Sequence, residues 1–253
     1  MSNQTDYSQI RTDIPRPKNS LYSKYIKRLL DIILSGTAII VLSPVLIIIC
    51  ILELIYHGAP VIYSQKRPGK DGKLFDIYKF RSMTNETDEN GELLHPADRI
   101  TPFGRFIRRF SLDELAGLFN ILNGTMSIIG PRPLLEAYLP LYSERHAYRH
   151  YVRPGLACWK VDGGTKLTAA EWTWNTQFES DIYYVENVSF WLDVKMVLMT
   201  IKIVFSKSEM RTNSDRVRFM GDNLLETRTR SQILKDEEEA ARKNSEATEN
   251  KEA

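Results

Sequence analysis

Between Ile32 and Leu52 the chain runs for 21 residues without a charged side chain. As a helix this stretch rises about 32 Å, enough to cross the core of a bilayer. It begins about thirty residues in, is too long for the apolar part of a secretory leader, and is followed by no small-residue cleavage site. Pro44 stands near its middle, where it removes a backbone donor and crowds the preceding turn, so a break or kink is expected. Lys24, Lys27 and Arg28 precede the run, and Lys66, Arg67, Lys70 and Lys73 follow it. Basic flanks favour the cytoplasmic side, and here both ends are basic. A re-entrant helix that bends at Ser43 and Pro44 and returns satisfies both flanks. The Ser43 hydroxyl is placed to take up backbone hydrogen bonding freed by Pro44. An ordinary span and a buried core helix stand as alternatives. Asp31 and Glu53 bracket the run and are expected at the interface.

Charge is unevenly spread. The net charge is +2, too low for the basic signature of a general nucleic-acid binder. Seven acids against four bases between Ser231 and Ala253 leave +5 on the preceding residues. A basic body with one apolar segment points to an anionic membrane surface. Cys50 and Cys158 are too few for a disulfide framework and lack a CxxC spacing, which favours a reducing compartment.

The remaining pattern is α+β and mainly helical. Residues 1–20 read as a flexible lead, 21–60 as the membrane helix, 61–206 as a cytoplasmic or interfacial domain and 207–253 as a polar, disordered tail. Val61 to Lys66 and Lys73 to Phe80 read as strands joined by the turn residues Pro68 to Gly72. Phe103, Phe106, Ile107 and Phe110 follow helical spacing, with Arg105, Arg108 and Arg109 between them. This reads as an amphipathic helix either on a membrane surface or packed into the core. Leu112 to Leu122 reads as a helix stopped by Asn123-Gly124, and Phe190 to Phe205 as a third apolar helix.

Ser111-Leu112-Asp113-Glu114 fits a capping box, with Ser111 as N-cap and Glu114 reaching back. The same geometry has a chemical reading. Asp113 in a first helical turn is favoured as an anion and can serve as a nucleophile. Arg105, Arg108 and Arg109 precede it and Arg132 follows, and arginine forks hold phosphate oxygens. Adjacent carboxylates can share Mg²⁺, which takes one or two carboxylates together with substrate phosphates. No GxxxxGK[ST] loop, GxGxxG, GxSxG or HExxH occurs. His57, His95, His146 and His150 show no metal spacing and read as structural.

Taken in order, the motifs resemble those of the bacterial sugar transferases, the monotopic phosphoglycosyl transferases. They are Lys27-Arg28-Leu29-Leu30-Asp31, Ser43-Pro44, Gln65-Lys66-Arg67-Pro68-Gly69, Tyr78-Lys79-Phe80-Arg81-Ser82-Met83 and Ser111-Leu112-Asp113-Glu114-Leu115. They continue through Phe119-Asn120, Asn123-Gly124, Met126-Ser127, Gly130-Pro131-Arg132-Pro133, Arg153-Pro154-Gly155 and Asp181-Ile182-Tyr183-Tyr184-Val185. The resemblance covers about Lys27 to Phe205. It implies transfer of a sugar 1-phosphate from a UDP-sugar to undecaprenyl phosphate, with UMP released. In the family the dyad aspartate, here Asp113, attacks the sugar-bearing phosphate, and the glutamate, here Glu114, helps place Mg²⁺. The resemblance further implies phosphate or substrate contacts from Lys79, Arg81, Arg108, Pro131, Arg132 and Arg153, and a re-entrant break at Ser43-Pro44. It places the protein in the bacterial inner membrane, with its catalytic domain on the cytoplasmic face. Direct attack by the lipid phosphate, a non-catalytic scaffolding homologue and a homodimer remain open alternatives. After Gly155 the sequence departs from the family's Gly-Trp-Ala-Gln-Val-Asn-Gly-Arg pattern, and no Arg follows Gly163-Gly164. Lys160 and Lys166 are candidates for the missing cation.

Overall fold

The computed structural model describes residues 10–157, 161–162, 165–166, 173–205, 218–226 and 232–233. A π-helical turn, Tyr22–Ile26, leads into α1, Lys27–Tyr56. The hairpin β1 (Ile62–Pro68) and β2 (Leu74–Phe80) follows, then α2 (Pro96–Arg99) and α3 (Pro102–Arg109). A 3-10 turn, Leu112–Ala116, opens into α4 (Gly117–Asn123), followed by β3 (Ser127–Ile129) and α5 (Glu144–Ala147). Next come β4 (Gly155–Ala157), the two-residue strands β5 (Val161–Asp162) and β6 (Thr165–Lys166), α6 (Trp174–Asn187) and α7 (Phe190–Phe205). Among the described residues the strands form three two-stranded sheets: β1 and β2 antiparallel, β3 and β4 parallel, β5 and β6 antiparallel. The expected mainly helical α+β class and the hairpin are both present.

Helix α1 continues through Pro44. Proline has no N–H to offer the Ile40 carbonyl four residues back, and the Ser43 hydroxyl donates to that oxygen instead, at 2.8 Å. One face of α1 packs on the remainder of the protein from end to end. Arg28 donates to the carbonyls of Ile121 and Leu122 at 2.6 and 2.9 Å, a cation set at the C-terminal end of α4. Asp31 accepts from Ser127 Oγ at 3.1 Å and from the Ile128 N–H at 3.0 Å. Ile39 and Leu42 pack against Phe75, Ile77, Leu118 and Ile121. Leu46 and Ile49 pack with Phe80, Ile107 and Ala116. At the far end the His57 ring pairs with Glu53 at 2.7 Å and Thr101 at 2.8 Å. Asp31 and Glu53 are therefore buried inside protein contacts. Asp31 has partners that only the tertiary fold brings near, whereas the partner of Glu53 is His57, four residues on. The other face of α1, with Ile33, Ile40, Val41, Ile47, Ile48 and Ile51, is exposed and apolar.

The stripe on α3 divides. Ile107 is fully buried and Phe103 packs on the same cluster, whereas Phe106 and Phe110 stand exposed among Arg105, Arg108 and Arg109. The helix is amphipathic as expected, and it docks tightly at Gly104. A Cβ there would sit 1.9 Å from the Ser82 carbonyl oxygen.

Asn120 locks α4 to the hairpin. Its side-chain oxygen accepts from the Tyr78 N–H at 2.9 Å, and its amide donates to the Asp76 carbonyl at 2.8 Å. The side chain thus serves the free edge of β2 as a neighbouring strand would. Two described segments near the ends, 10–18 and 218–226, pack on the domain. Lys18 N–H donates to the Val185 carbonyl at 3.1 Å, and Ile10 packs on the cluster of Tyr138, Trp174 and Phe178. Phe219 and Leu224, within the stretch expected to be disordered, are buried in that same cluster.

Candidate active site

The dyad sits on the turn between α3 and α4. Ser111 adopts φ 54 and ψ 26, left-handed backbone that costs a non-glycine residue about 1–3 kcal/mol. The expected capping box does not form, since a capping serine needs extended backbone. The Ser111 side chain makes no cap hydrogen bond. Instead the Glu114 N–H donates to the Ser111 carbonyl at 3.2 Å and the turn closes tightly. This geometry buries Asp113, 9% exposed, at the start of the turn.

Lys79 comes from β2 and Arg132 from the Gly130-Pro131-Arg132-Pro133 loop. Lys79 Nζ and Arg132 Nη2 each donate to Glu114 Oε1 at 3.0 Å. The two carboxyls are driven apart. Burial raises Asp113, and the negative charge of Glu114 adds to the rise, while Lys79 and Arg108 pull against it. Burial acts on Glu114 too, but the Arg132 and Lys79 charges and their hydrogen bonds overcome it and bring the group down to about 2. Oppositely shifted neighbouring carboxyls mark a division of labour: one more basic group, one fixed anion.

The other expected residues divide in two. Arg108 reaches the dyad electrostatically and is steadied by donating from Nε to Ser82 Oγ at 2.7 Å. Arg81, Arg153 and Pro131 are occupied elsewhere. Arg81 Nη1 donates to the Pro60 carbonyl at 3.1 Å, and Arg153 Nε to the Gly124 carbonyl at 2.8 Å. The Pro131 carbonyl accepts from the Gly155 N–H at 2.9 Å. These contacts fix backbone around the site. Of the divergent loop after Gly155, Cys158, Trp159, Lys160, Gly163 and Gly164 lie outside the described residues, as do the side chains of β5 and β6, Lys166 included.

A cavity of about 450 Å³ opens beside the dyad. Glu114, Lys79 and Arg132 line it together with Arg67, Arg218, Tyr63, Tyr138 and Trp174. Four cations face one acid there, so the cavity suits an anion, and the aromatic rings offer surfaces for a base or sugar. Arg67 is the neglected member. It belongs to the Gln65-to-Gly69 motif, and its Nη2 donates to Gln65 Oε1 at 2.6 Å. Its role depends on the hairpin folding over the dyad turn, which spacing alone does not reveal.

A model of the family described as bacterial sugar transferase matches residues 22–207. A sugar transferase of Bacillus subtilis, EpsL, is 42% identical over 194 residues, covering 74% of this chain and 92% of the relative. The UDP-N-acetylgalactosamine-undecaprenyl-phosphate N-acetylgalactosaminephosphotransferase of Aeromonas hydrophila is 36% identical over 205 residues, 79% of this chain and 47% of the relative. The UDP-glucose:undecaprenyl-phosphate glucose-1-phosphate transferase of Escherichia coli is 36% identical over 187 residues, 71% of this chain and 40% of the relative. The chain thus spans nearly all of EpsL but less than half of the other two. The chain belongs to the bacterial sugar transferase family.

Proposed function

We propose that the protein transfers a sugar 1-phosphate from a UDP-sugar to undecaprenyl phosphate in two steps on Asp113. A carboxylate oxygen of Asp113 attacks the sugar-bearing phosphorus, the bond from that phosphorus to the bridging oxygen breaks, and UMP leaves. An oxygen of undecaprenyl phosphate then attacks the same phosphorus and the Asp113 carboxylate is released. The observation that carries this reading is the opposed pair: Asp113 raised and buried, Glu114 held as an anion between Lys79 and Arg132. A more basic carboxylate is the better nucleophile, and splitting the transfer lets one group serve both substrates in turn. Arg108, Lys79 and Arg132 are placed to neutralise phosphate oxygens during in-line displacement.

Magnesium fits this arrangement. Among the described residues no cluster of three or more His, Cys, Asp or Glu side chains could hold a metal. Mg²⁺ needs only one or two carboxylates when phosphates complete its shell, and Asp113 with Glu114 meets that requirement. The ion would neutralise charge on the transferring phosphate.

The membrane arrangement we propose is monotopic, with α1 re-entrant and the catalytic domain on the cytoplasmic face of the inner membrane. Its support is the contact of α1 with one domain along its length, from Asp31 to His57. A helix crossing the bilayer squarely would carry its far end away from that domain. The exposed face of α1, together with Phe106, Phe110, Trp191 and Leu198, supplies the apolar surface for lipid. The product would begin assembly of a bacterial surface glycan. The test is UMP release from a panel of UDP-sugars by the detergent-purified chain with Mg²⁺ and undecaprenyl phosphate. One donor should give UMP, and Asp113→Asn should abolish it. Retained turnover in that variant would refute the nucleophile.

A further inference from the structure

The cavity receives one cation from outside the part of the chain that the family model matches. Among the described residues that line it, 22–207 supply Glu114, Arg67, Lys79 and Arg132, whereas Arg218 belongs to the segment 218–226. That segment is firmly built. Phe219 is 1% exposed, with its ring 5.5 Å from Tyr138, 5.6 Å from Trp174 and 5.0 Å from Phe178. Leu224 is buried in the same cluster, and its carbonyl accepts from the Asn175 N–H at 2.9 Å, at the start of α6. Asn223 closes the intervening turn. Its amide donates to the Arg218 carbonyl at 2.7 Å, and its oxygen accepts from the Met220 N–H at 2.9 Å. The anchors thus hold the Arg218 backbone while its exposed side chain faces the cavity.

We infer that Arg218 is a donor-binding residue, gripping the diphosphate of the nucleotide sugar from the cavity rim. The inference rests on the transfer reaction proposed above. Lys79 and Arg132 are both engaged by Glu114, so an additional guanidinium fork is what a diphosphate, with oxygens on two phosphorus atoms, would recruit. Arg218 is not among the charges that act most on Asp113 or Glu114, so its effect falls on donor binding more than on the chemical step.

The test uses the full chain in detergent with Mg²⁺, comparing wild type, Arg218→Ala, Arg218→Lys and the anchor variant Phe219→Ala. Arg218→Ala should raise the donor KM about 10-fold, the loss expected for one charge-assisted contact, with kcat moving far less and the KM for undecaprenyl phosphate unmoved. UDP should bind about 10-fold more weakly to Arg218→Ala by calorimetry, with uridine affinity unchanged. Arg218→Lys should recover part of the loss, and Phe219→Ala should reproduce it. Unchanged donor KM and unchanged UDP affinity in Arg218→Ala would overturn the assignment. If wild type released no UMP from any donor, the transfer reading would fail, and the UDP and uridine comparison would still decide the role of Arg218.

Discussion

Arg149 donates from Nη2 to the carbonyl oxygen of Arg132 at 2.7 Å. The same guanidinium grips Asp181 on α6, through Nε at 3.0 Å and Nη2 at 2.8 Å, with both side chains buried. Arg132 then reaches Glu114. A buried ion pair between Arg149 and α6 therefore decides where the cation that grips Glu114 stands.

Asp181→Asn should leave the Arg149 charge buried without its partner. Breaking one side of such a pair costs about 3–5 kcal/mol, so the thermal midpoint should drop sharply. Transfer by the folded fraction should fall as well, because Arg132 loses its backbone support. A variant with wild-type stability and turnover would show that Arg149 is held by other means.

Gly104→Ala should uncouple Arg108 from the site. A Cβ at 104 would lie 1.9 Å from the Ser82 carbonyl oxygen, so α3 must move. That movement breaks the 2.7 Å bond from Arg108 to Ser82. Overpacking of this kind costs about 1–3 kcal/mol. Thermal melts and UMP release should both decline, with donor turnover hit harder than stability alone explains.

The Glu114 bridge sets a pH window. The folded-state value is about 2, against an ordinary 4.5. A depressed carboxyl contributes its full stability above the unfolded value and loses it as pH falls through the folded one. The stability difference between wild type and Glu114→Gln should therefore be flat above about pH 5 and shrink steadily toward pH 2. Melting midpoints at a series of pH values measure it. A difference that persisted at pH 2 would mean that Lys79 and Arg132 are not the cause.

The re-entrant reading predicts the same side for both ends of α1. Lys24→Cys and Lys70→Cys, each made in a chain with Cys50 and Cys158 replaced by Ala, should react with an impermeant maleimide only after spheroplasts are permeabilised. Reaction of one position in intact spheroplasts would indicate a spanning helix.

Much of this was legible from the chain itself. The Ser43 hydroxyl bond beside Pro44, the turn residues between β1 and β2, and Asn123-Gly124 ending α4 act locally, and local signals survive in sequence, whereas the break expected at Pro44 does not interrupt α1. The dyad and its cations were also legible as residue types. What was hidden depends on distant pairings. Asp31 finds Ser127 and Ile128 across 96 and 97 positions, so its burial cannot be read from its neighbours. Ser111 reads as a helix cap, yet its backbone is left-handed and its side chain caps nothing. The cavity role of Arg67 needs the hairpin folded over the dyad, and that of Arg218 needs Phe219 seated among rings of other segments.

The most direct measurement is the intact mass of the chain, and of its peptide containing Asp113, after incubation with the active UDP-sugar and Mg²⁺ but no lipid. The two-step account predicts a burst of UMP about equal to the enzyme present and an added phosphosugar mass on Asp113. Asp113→Asn should show neither, and undecaprenyl phosphate should discharge the adduct. UMP release that strictly required lipid, with no adduct on Asp113, would contradict the covalent mechanism and leave direct attack by the lipid phosphate.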